Sequence, residues 1–263
     1  MKMVWIIVRK EWEEVLRSAI VLFTMLFTPL IFVVTGVGSV VATQAAGAEV
    51  GNSKDADEIL KLTGDLCTGL APSDCIGAYM ATLMLLLFMM LPVLLPTVFA
   101  SYSVVGEKTS RTLEPLLATP ITTAELLVGK IVAAVVPAVG ATWLGVGVYY
   151  AAIAIFAPTL LGAILAPAWL AAVFVLGPLL AVASVDFAVV ISSKVTDPRT
   201  AQQLSGVVVL PLVLALVGQS LGLFLVNGTL VGIACLACLL LDVALTWMAV
   251  ELFDREQILT RWK

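Results

Sequence analysis

The chain is 263 residues long, 61% hydrophobic and 12% charged, with a formal net charge of −4. Soluble domains carry about 25% charged residues, so a water-soluble enzyme or binding module is excluded and an all-α polytopic membrane protein is expected. There is no histidine, which removes imidazole acid–base chemistry and His-ligated metal sites, and no basic run suggests a nucleic-acid partner.

Residues 1–18 read as an interfacial elbow. Trp5, Val8, Trp12, Val15 and Leu16 share one helical face, and Arg9, Lys10, Glu11, Glu13, Glu14 and Arg17 take the other. A helix of that pattern with tryptophans lies in the headgroup plane. A bilayer-crossing helix needs about 20 mostly apolar residues, and at that length six spans follow, near 19–42, 78–104, 131–156, 168–193, 205–226 and 230–252. Ala42 and Ala45 offer the first span a small-residue cleavage site. Its apolar core is longer than the about 7–15 residues of a secretory signal, so an uncleaved helix is expected.

The loop at 43–77 is acidic, through Glu49, Asp55, Asp57, Glu58, Asp65 and Asp74, and carries Cys67 and Cys75. On an external face a Cys67–Cys75 disulfide is permitted; two reduced thiols packed in a short helix are the alternative. The acidic side chains read as a solvated face.

Residues 105–130 return to charge. In GEKTSRTLEPLLATP (106–120), Leu113, Leu116 and Leu117 share one helical face, while Glu107, Lys108, Arg111 and Glu114 can point to water. Thr119-Pro120 breaks that helix. Thr122 followed by Glu125 forms a capping box that opens a new helix running into the third span. The pattern also fits an interfacial hairpin that only connects two spans.

Beyond the third span, an apolar link at 157–167 with Pro158 and Pro167 is expected at the interface, and a polar loop at 194–204 joins the fourth and fifth spans. Asn227-Gly228-Thr229 matches a glycosylation sequon, but its position in a very tight turn makes turn chemistry the better explanation. Cys235 and Cys238 form a C-x-x-C pattern with no second ligand pair, and read as small packing residues. In the tail at 253–263, Phe253, Ile258, Leu259 and Trp262 lie among charges as a shorter amphipathic piece following Leu252.

Positive charge sets the orientation. Lys2, Arg9, Lys10 and Arg17, then Lys108, Arg111 and Lys130, then Lys194 and Arg199, then Arg255, Arg261 and Lys263 all fall on one side of a six-span chain. Of the 14 Lys and Arg residues only Lys54 and Lys61 lie opposite. The positive-inside rule places both termini and the 105–130 segment in the cytoplasm, so the expectation is a multi-pass protein of the cell membrane with the 43–77 loop outside.

Three polar residues interrupt the spans: Asp186, Gln219 and Asp242. Ionisable groups in a membrane span are expensive and face the protein interior or a wet cavity. Counted inward from the external helix ends, Gln219, Asp242 and Asp186 lie about 7, 12 and 18 residues deep, on the order of 10, 18 and 27 Å at the helical rise of about 1.5 Å. They read either as a polar track for an ion or cationic cargo, or as hydrogen-bonding groups between helices with a proton retained. Pro29, Pro92, Pro96, Pro137, Pro178 and Pro211 also interrupt the spans; each removes a backbone donor and bends its helix. Gly- and Ala-rich faces in the third and fourth spans permit close helix contact.

The segment GEKTSRTLEPLLATPITTAELLVGK (106–130) resembles the signature of type-2 ABC exporter permeases. Glu107, Thr112, Leu113, Glu114, Leu116, Leu117, Thr119, Pro120, Gly129 and Lys130 match it, and Arg111 stands where glycine is common. The likeness extends to the elbow, the six spans, the large first external loop and the second cytoplasmic loop at 192–206.

The resemblance implies that 105–130 contains a coupling helix docking on an ABC ATPase subunit. Glu107, Arg111, Thr112, Glu114, Leu116, Leu117, Thr119 and Pro120 are the candidate coupling residues. Glu107, Arg111 and Glu114 would face the ATPase, and the leucines would anchor the helix to the membrane domain. It also implies a second permease copy. A P-loop reads G-x-x-x-x-G-K-[ST], and Gly129-Lys130 is followed by Ile131 and lacks the earlier glycine. No catalytic, metal or cofactor-binding residues are therefore expected in this chain, with ATP and Mg on the partner. The competing readings are an integral membrane enzyme and an assembly or anchor protein without a transport path.

Overall fold

The computed structural model describes residues 2–17, 19–51, 70–97, 100, 122–195 and 197–252. Among them there is no strand, and six stretches are long and apolar enough to cross a membrane: Val21–Ala46, Ser73–Thr97, Ala124–Phe156, Pro167–Ser192, Thr200–Ser220 and Gly228–Glu251.

Helix α1 (Lys2–Arg17) precedes α2 (Ala19–Gly51). α2 continues well past the expected end at 42, because nothing in Thr43–Gly51 stops it: the run is alanine-rich and free of proline. Helix α3 (Pro72–Phe88) starts with proline in its first turn, where a missing N–H does no harm. It breaks at Met89 and Met90, just before Pro92, and the chain is helical again over 91–97.

Helix α4 (Thr123–Phe156) begins at the foreseen capping box. Thr122 Oγ1 accepts from the Glu125 amide at 3.2 Å, and the Thr122 amide donates to Glu125 Oε2 at 3.1 Å. Its 34 residues extend about 51 Å, against about 30 Å of hydrocarbon. The helix that contains the third span thus starts well before the expected residue 131.

The link after α4 is a 3-10 turn (Pro158–Leu160) and a short helix α5 (Leu161–Ile164). Leu160 and Ile164 are fully buried, so this segment packs two side chains into the core. The fourth span is composite: α6 (Pro167–Ala171), a π turn (Ala172–Leu176) and α7 (Gly177–Lys194).

The 194–204 connection is not a plain loop. Residues Pro198–Ser205 form helix α8, capped by Asp197, whose carboxylate accepts from the Thr200 amide at 3.0 Å and the Thr200 hydroxyl at 2.8 Å. The Asp-Pro pair, a cap followed by a first-turn proline, is the local signal for this start.

After a 3-10 turn (Gly206–Val209), α9 (Leu210–Ser220) ends earlier than expected. Gly222 takes a left-handed φ of 68°, and the Leu223 amide reaches back to the Gly218 carbonyl at 2.9 Å, closing the helix. Helix α10 (Gly228–Leu252) is opened by Asn227, whose side chain accepts from the Leu230 amide at 2.8 Å. That is the turn chemistry expected of Asn227-Gly228-Thr229.

Two glycines let α2 and α4 touch. A Cβ on Gly36 would sit 2.9 Å from the Tyr149 ring, and one on Gly145 would sit 2.9 Å from Pro29 Cβ. The main core gathers Val40, Leu85, Phe88, Tyr149, Ile153, Leu160 and Trp169. A smaller cluster joins Leu127 and Ala134 of α4 with Val185, Ala188 and Val189 of α7 and Ala249 of α10. The start of α4 and the ends of α7 and α10 therefore share one side of the helix array, here called the elbow side because α1 packs there. The peripheral helices keep large apolar side chains outward, among them Leu26, Ile31, Leu240 and Trp247, as a lipid-facing surface requires.

Candidate functional site

The first assembly lies on the elbow side, where α1 meets the opening turns of α4. Ile7, Val8 and Glu11 are buried, whereas Trp5 is 60% and Leu16 65% exposed. The face of α1 that packs on α4 thus carries Ile7, Val8 and Glu11. Glu11, assigned from the sequence to the water-facing side, is one of the innermost residues.

The reason is Lys130, itself buried, whose ammonium sits 3.0 Å from Glu11 Oε1. A charge taken out of water needs such a partner. Gly129 makes the approach possible, since a Cβ there would fall 2.9 Å from Ile7 Cγ2. The Gly129-Lys130 pair thus has two jobs: the glycine admits α1 and the lysine holds it.

A third contact closes the joint. In a regular α-helix the amide of residue 137 would bond the carbonyl of residue 133, but Pro137 has none. The Trp12 indole N–H donates to that Ala133 carbonyl at 3.0 Å. The same solution recurs at the π turn. The Gly177 amide bonds Ala172 rather than Val173, Pro178 cannot donate, and the Trp143 indole takes the Val173 carbonyl at 3.1 Å. Each tryptophan spends its single donor on a carbonyl that lacks a backbone partner.

The second assembly involves the polar residues within the spans. Asp186 of α7 is fully buried, and its Oδ2 accepts from the Thr246 hydroxyl of α10 at 2.6 Å. Asp242 lies one helical turn from Thr246 on α10 and is 6% exposed. Gln219 does not join them. Its side-chain amide donates weakly to Thr82 Oγ1 at 3.4 Å, and its backbone carbonyl accepts from the Tyr79 hydroxyl at 2.6 Å, tying α9 to α3. Asp186 and Asp242 thus lie on the packed helices α7 and α10, and Gln219 lies with Tyr79 and Thr82 between α9 and α3.

Thr246, Tyr79 and Thr82 had no signal in the sequence, because isolated hydroxyls are ordinary in membrane helices. Glu11 was hidden for another reason: its neighbours in sequence are charged as well, so only the position of Lys130 singles it out.

Cys75 is buried and disulfide-bonded, and Cys235 and Cys238 are free. Among the described residues no group of three His, Cys, Asp or Glu side chains could hold a metal ion. Cys67, the tail at 253–263 and the coupling candidates Glu107, Arg111, Thr112, Glu114, Leu116, Leu117, Thr119 and Pro120 lie outside the described residues.

A protein-family model described as ABC-2 family transporter protein matches residues 5–230. No curated protein matches the chain. The family match runs from the elbow through the start of α10 and includes both the α1–α4 joint and the 105–130 segment.

Proposed function

The chain belongs to the ABC-2 transporter family, as a multi-pass permease component, and on that premise we propose that it forms the translocation path of an exporter driven by a separate ABC ATPase subunit. Two copies of the permease enclose the path. ATP and Mg bind on the ATPase, and both termini lie in the cytoplasm of a cell whose membrane holds the complex.

The observation that carries this reading is the α1–α4 joint. The 105–130 segment ends in the turns of α4 that are pinned to α1 by Glu11–Lys130, Trp12–Ala133 and Ile7–Gly129. A force applied to that segment reaches the elbow and the third span together. A mere connector between spans has no need of a buried ion pair at its exit. In this reading Glu107, Arg111 and Glu114 meet the ATPase, Leu113, Leu116 and Leu117 anchor the coupling helix to the membrane domain, and Thr119-Pro120 ends it. Asp186, Gln219 and Asp242 supply polar points along the path, and Cys67 pairs with Cys75 in the outer loop.

The double charge reversal Glu107→Lys/Glu114→Lys tests the coupling. It is expected to lower permease-stimulated ATPase activity about tenfold or more and to weaken co-purification, as a like-charge contact replacing an attractive one would. Unchanged stimulation and co-purification would overturn the docking role of this segment.

A further inference from the structure

Helix α9 is fastened at its last turn. Only Gly218 and Gln219 are buried along it. Leu210, Leu214 and Val217 are exposed, and Leu212, Ala215 and Leu216 lean part-buried on the main core. The fastening is a small polar clasp. The Tyr79 hydroxyl of α3 donates to the Gln219 carbonyl at 2.6 Å, and the Gln219 side-chain amide reaches Thr82 Oγ1 at only 3.4 Å. Gln219 Oε1 has no partner among the described residues. A buried amide normally fills its hydrogen bonds, and this one, 1% exposed, leaves an acceptor unspent and a donor stretched. When the clasp opens, both groups gain partners in water at the helix end, which offsets the loss of the Tyr79 bond.

The other end of α9 has the form of a joint. α8 before it is anchored, since Ala201 and Ser205 are fully buried. Between the two, the 3-10 turn Gly206–Val209 buries nothing, and a Cβ on Gly206 would meet no atom within 4 Å. Pro211 causes the turn. It has no amide to bond the Val207 carbonyl in the α-helical manner, and the Leu210 amide takes that carbonyl instead. A 3-10 stretch inside a longer helix often marks a hinge.

From this arrangement we infer that α9 is a hinged arm, clasped to α3 by Gln219, Tyr79 and Thr82 and swinging about the turn Gly206–Val209 when the clasp opens. α8 follows the elbow-side end of α7, so the clasp lies at the opposite end of the helix array. The device belongs to this chain alone and does not rest on the permease reading.

Spin labels on Phe156→Cys and Leu221→Cys report the opening in the full-length chain. Both side chains are exposed, and Phe156 ends α4 beside the fully buried Ile153, which makes it a fixed reference. The labels go into a Cys235→Ala/Cys238→Ala background in lipid nanodiscs, with unlabelled chain in excess so that distances within one chain are read. Pulsed dipolar spectroscopy is expected to show one dominant distance. Tyr79→Phe, which keeps the ring, and Gln219→Leu are each expected to raise a second, displaced population about fivefold, the effect of one net hydrogen bond. Pro211→Ala restores an amide for the Val207 carbonyl, and in the Tyr79→Phe background it is expected to suppress that population. Gly206→Ala tests the same joint where that double variant does not fold. Distance distributions in Tyr79→Phe and Gln219→Leu that match the parent's would overturn the proposal, and would mean that packing or a second copy of the chain holds α9. A displaced population undiminished by stiffening the turn would overturn it as well. No ATPase is present, so the outcome is independent of the coupling experiment.

Discussion

Replacing Lys130 with methionine is expected to destabilise the folded chain by about 3–5 kcal/mol, the range for breaking a buried ion pair from one side. Glu11 would remain beside α4, nearly out of water, without the ammonium that now lies 3.0 Å away. Replacing both partners is a different experiment. In Glu11→Leu/Lys130→Met no charge is stranded, and exchange of a buried pair for apolar side chains of similar volume is often neutral or stabilising. The double variant is therefore expected to unfold close to the wild-type midpoint in mixed micelles, with the single variant far below. Equal losses in the two would mean that α1 is held by packing alone, and the ion pair would have no special standing.

The second large effect concerns a hydrogen bond whose need was created by a proline. Trp12→Phe keeps most of the ring but removes the donor, leaving the Ala133 carbonyl open at a buried joint; about 1–3 kcal/mol is expected for such an orphan. Pro137→Ala supplies the missing backbone amide and gives that carbonyl an internal partner. The two substitutions should thus be non-additive: Trp12→Phe is expected to cost much less in the Pro137→Ala background. A double-mutant cycle on unfolding free energies reads the coupling. Strict additivity would show that Trp12 and Pro137 do not share the Ala133 carbonyl.

Much of the architecture was open to a reader of the sequence, and the exceptions have physical causes. Apolar length located all six spans, and the Thr122–Glu125 capping box located the start of α4. Helix ends were harder. α2 overran its expected limit because a run rich in alanine carries no stop signal, and α9 fell short because a single left-handed glycine closed it.

The polar interior was legible only as a roster. Asp186, Gln219 and Asp242 stand out because charge and amide groups are rare in spans, but composition does not say which helices adjoin. Pairing is decided by packing, which put Asp186 opposite Thr246 and Gln219 opposite Tyr79. The elbow shows the same limit from the other direction. Its periodicity predicted a helix correctly, but the buried face was chosen by where α4 could accept a carboxylate.

The π turn at Ala172–Leu176 has a consequence for the chain's length. A single π turn is an α-helix with one residue too many, and the surplus residue rotates everything beyond it by about 100°. Asp186 lies beyond it, and its meeting with Thr246 depends on that rotation. The fourth span therefore contains one residue of slack, stored where Pro178 prevents the backbone from reclaiming the Val173 carbonyl and where Trp143 holds that carbonyl instead. Removing a residue inside the turn would leave Asp186 on its present bearing, whereas removing one between Gly177 and Asp186 would turn the carboxyl away from α10.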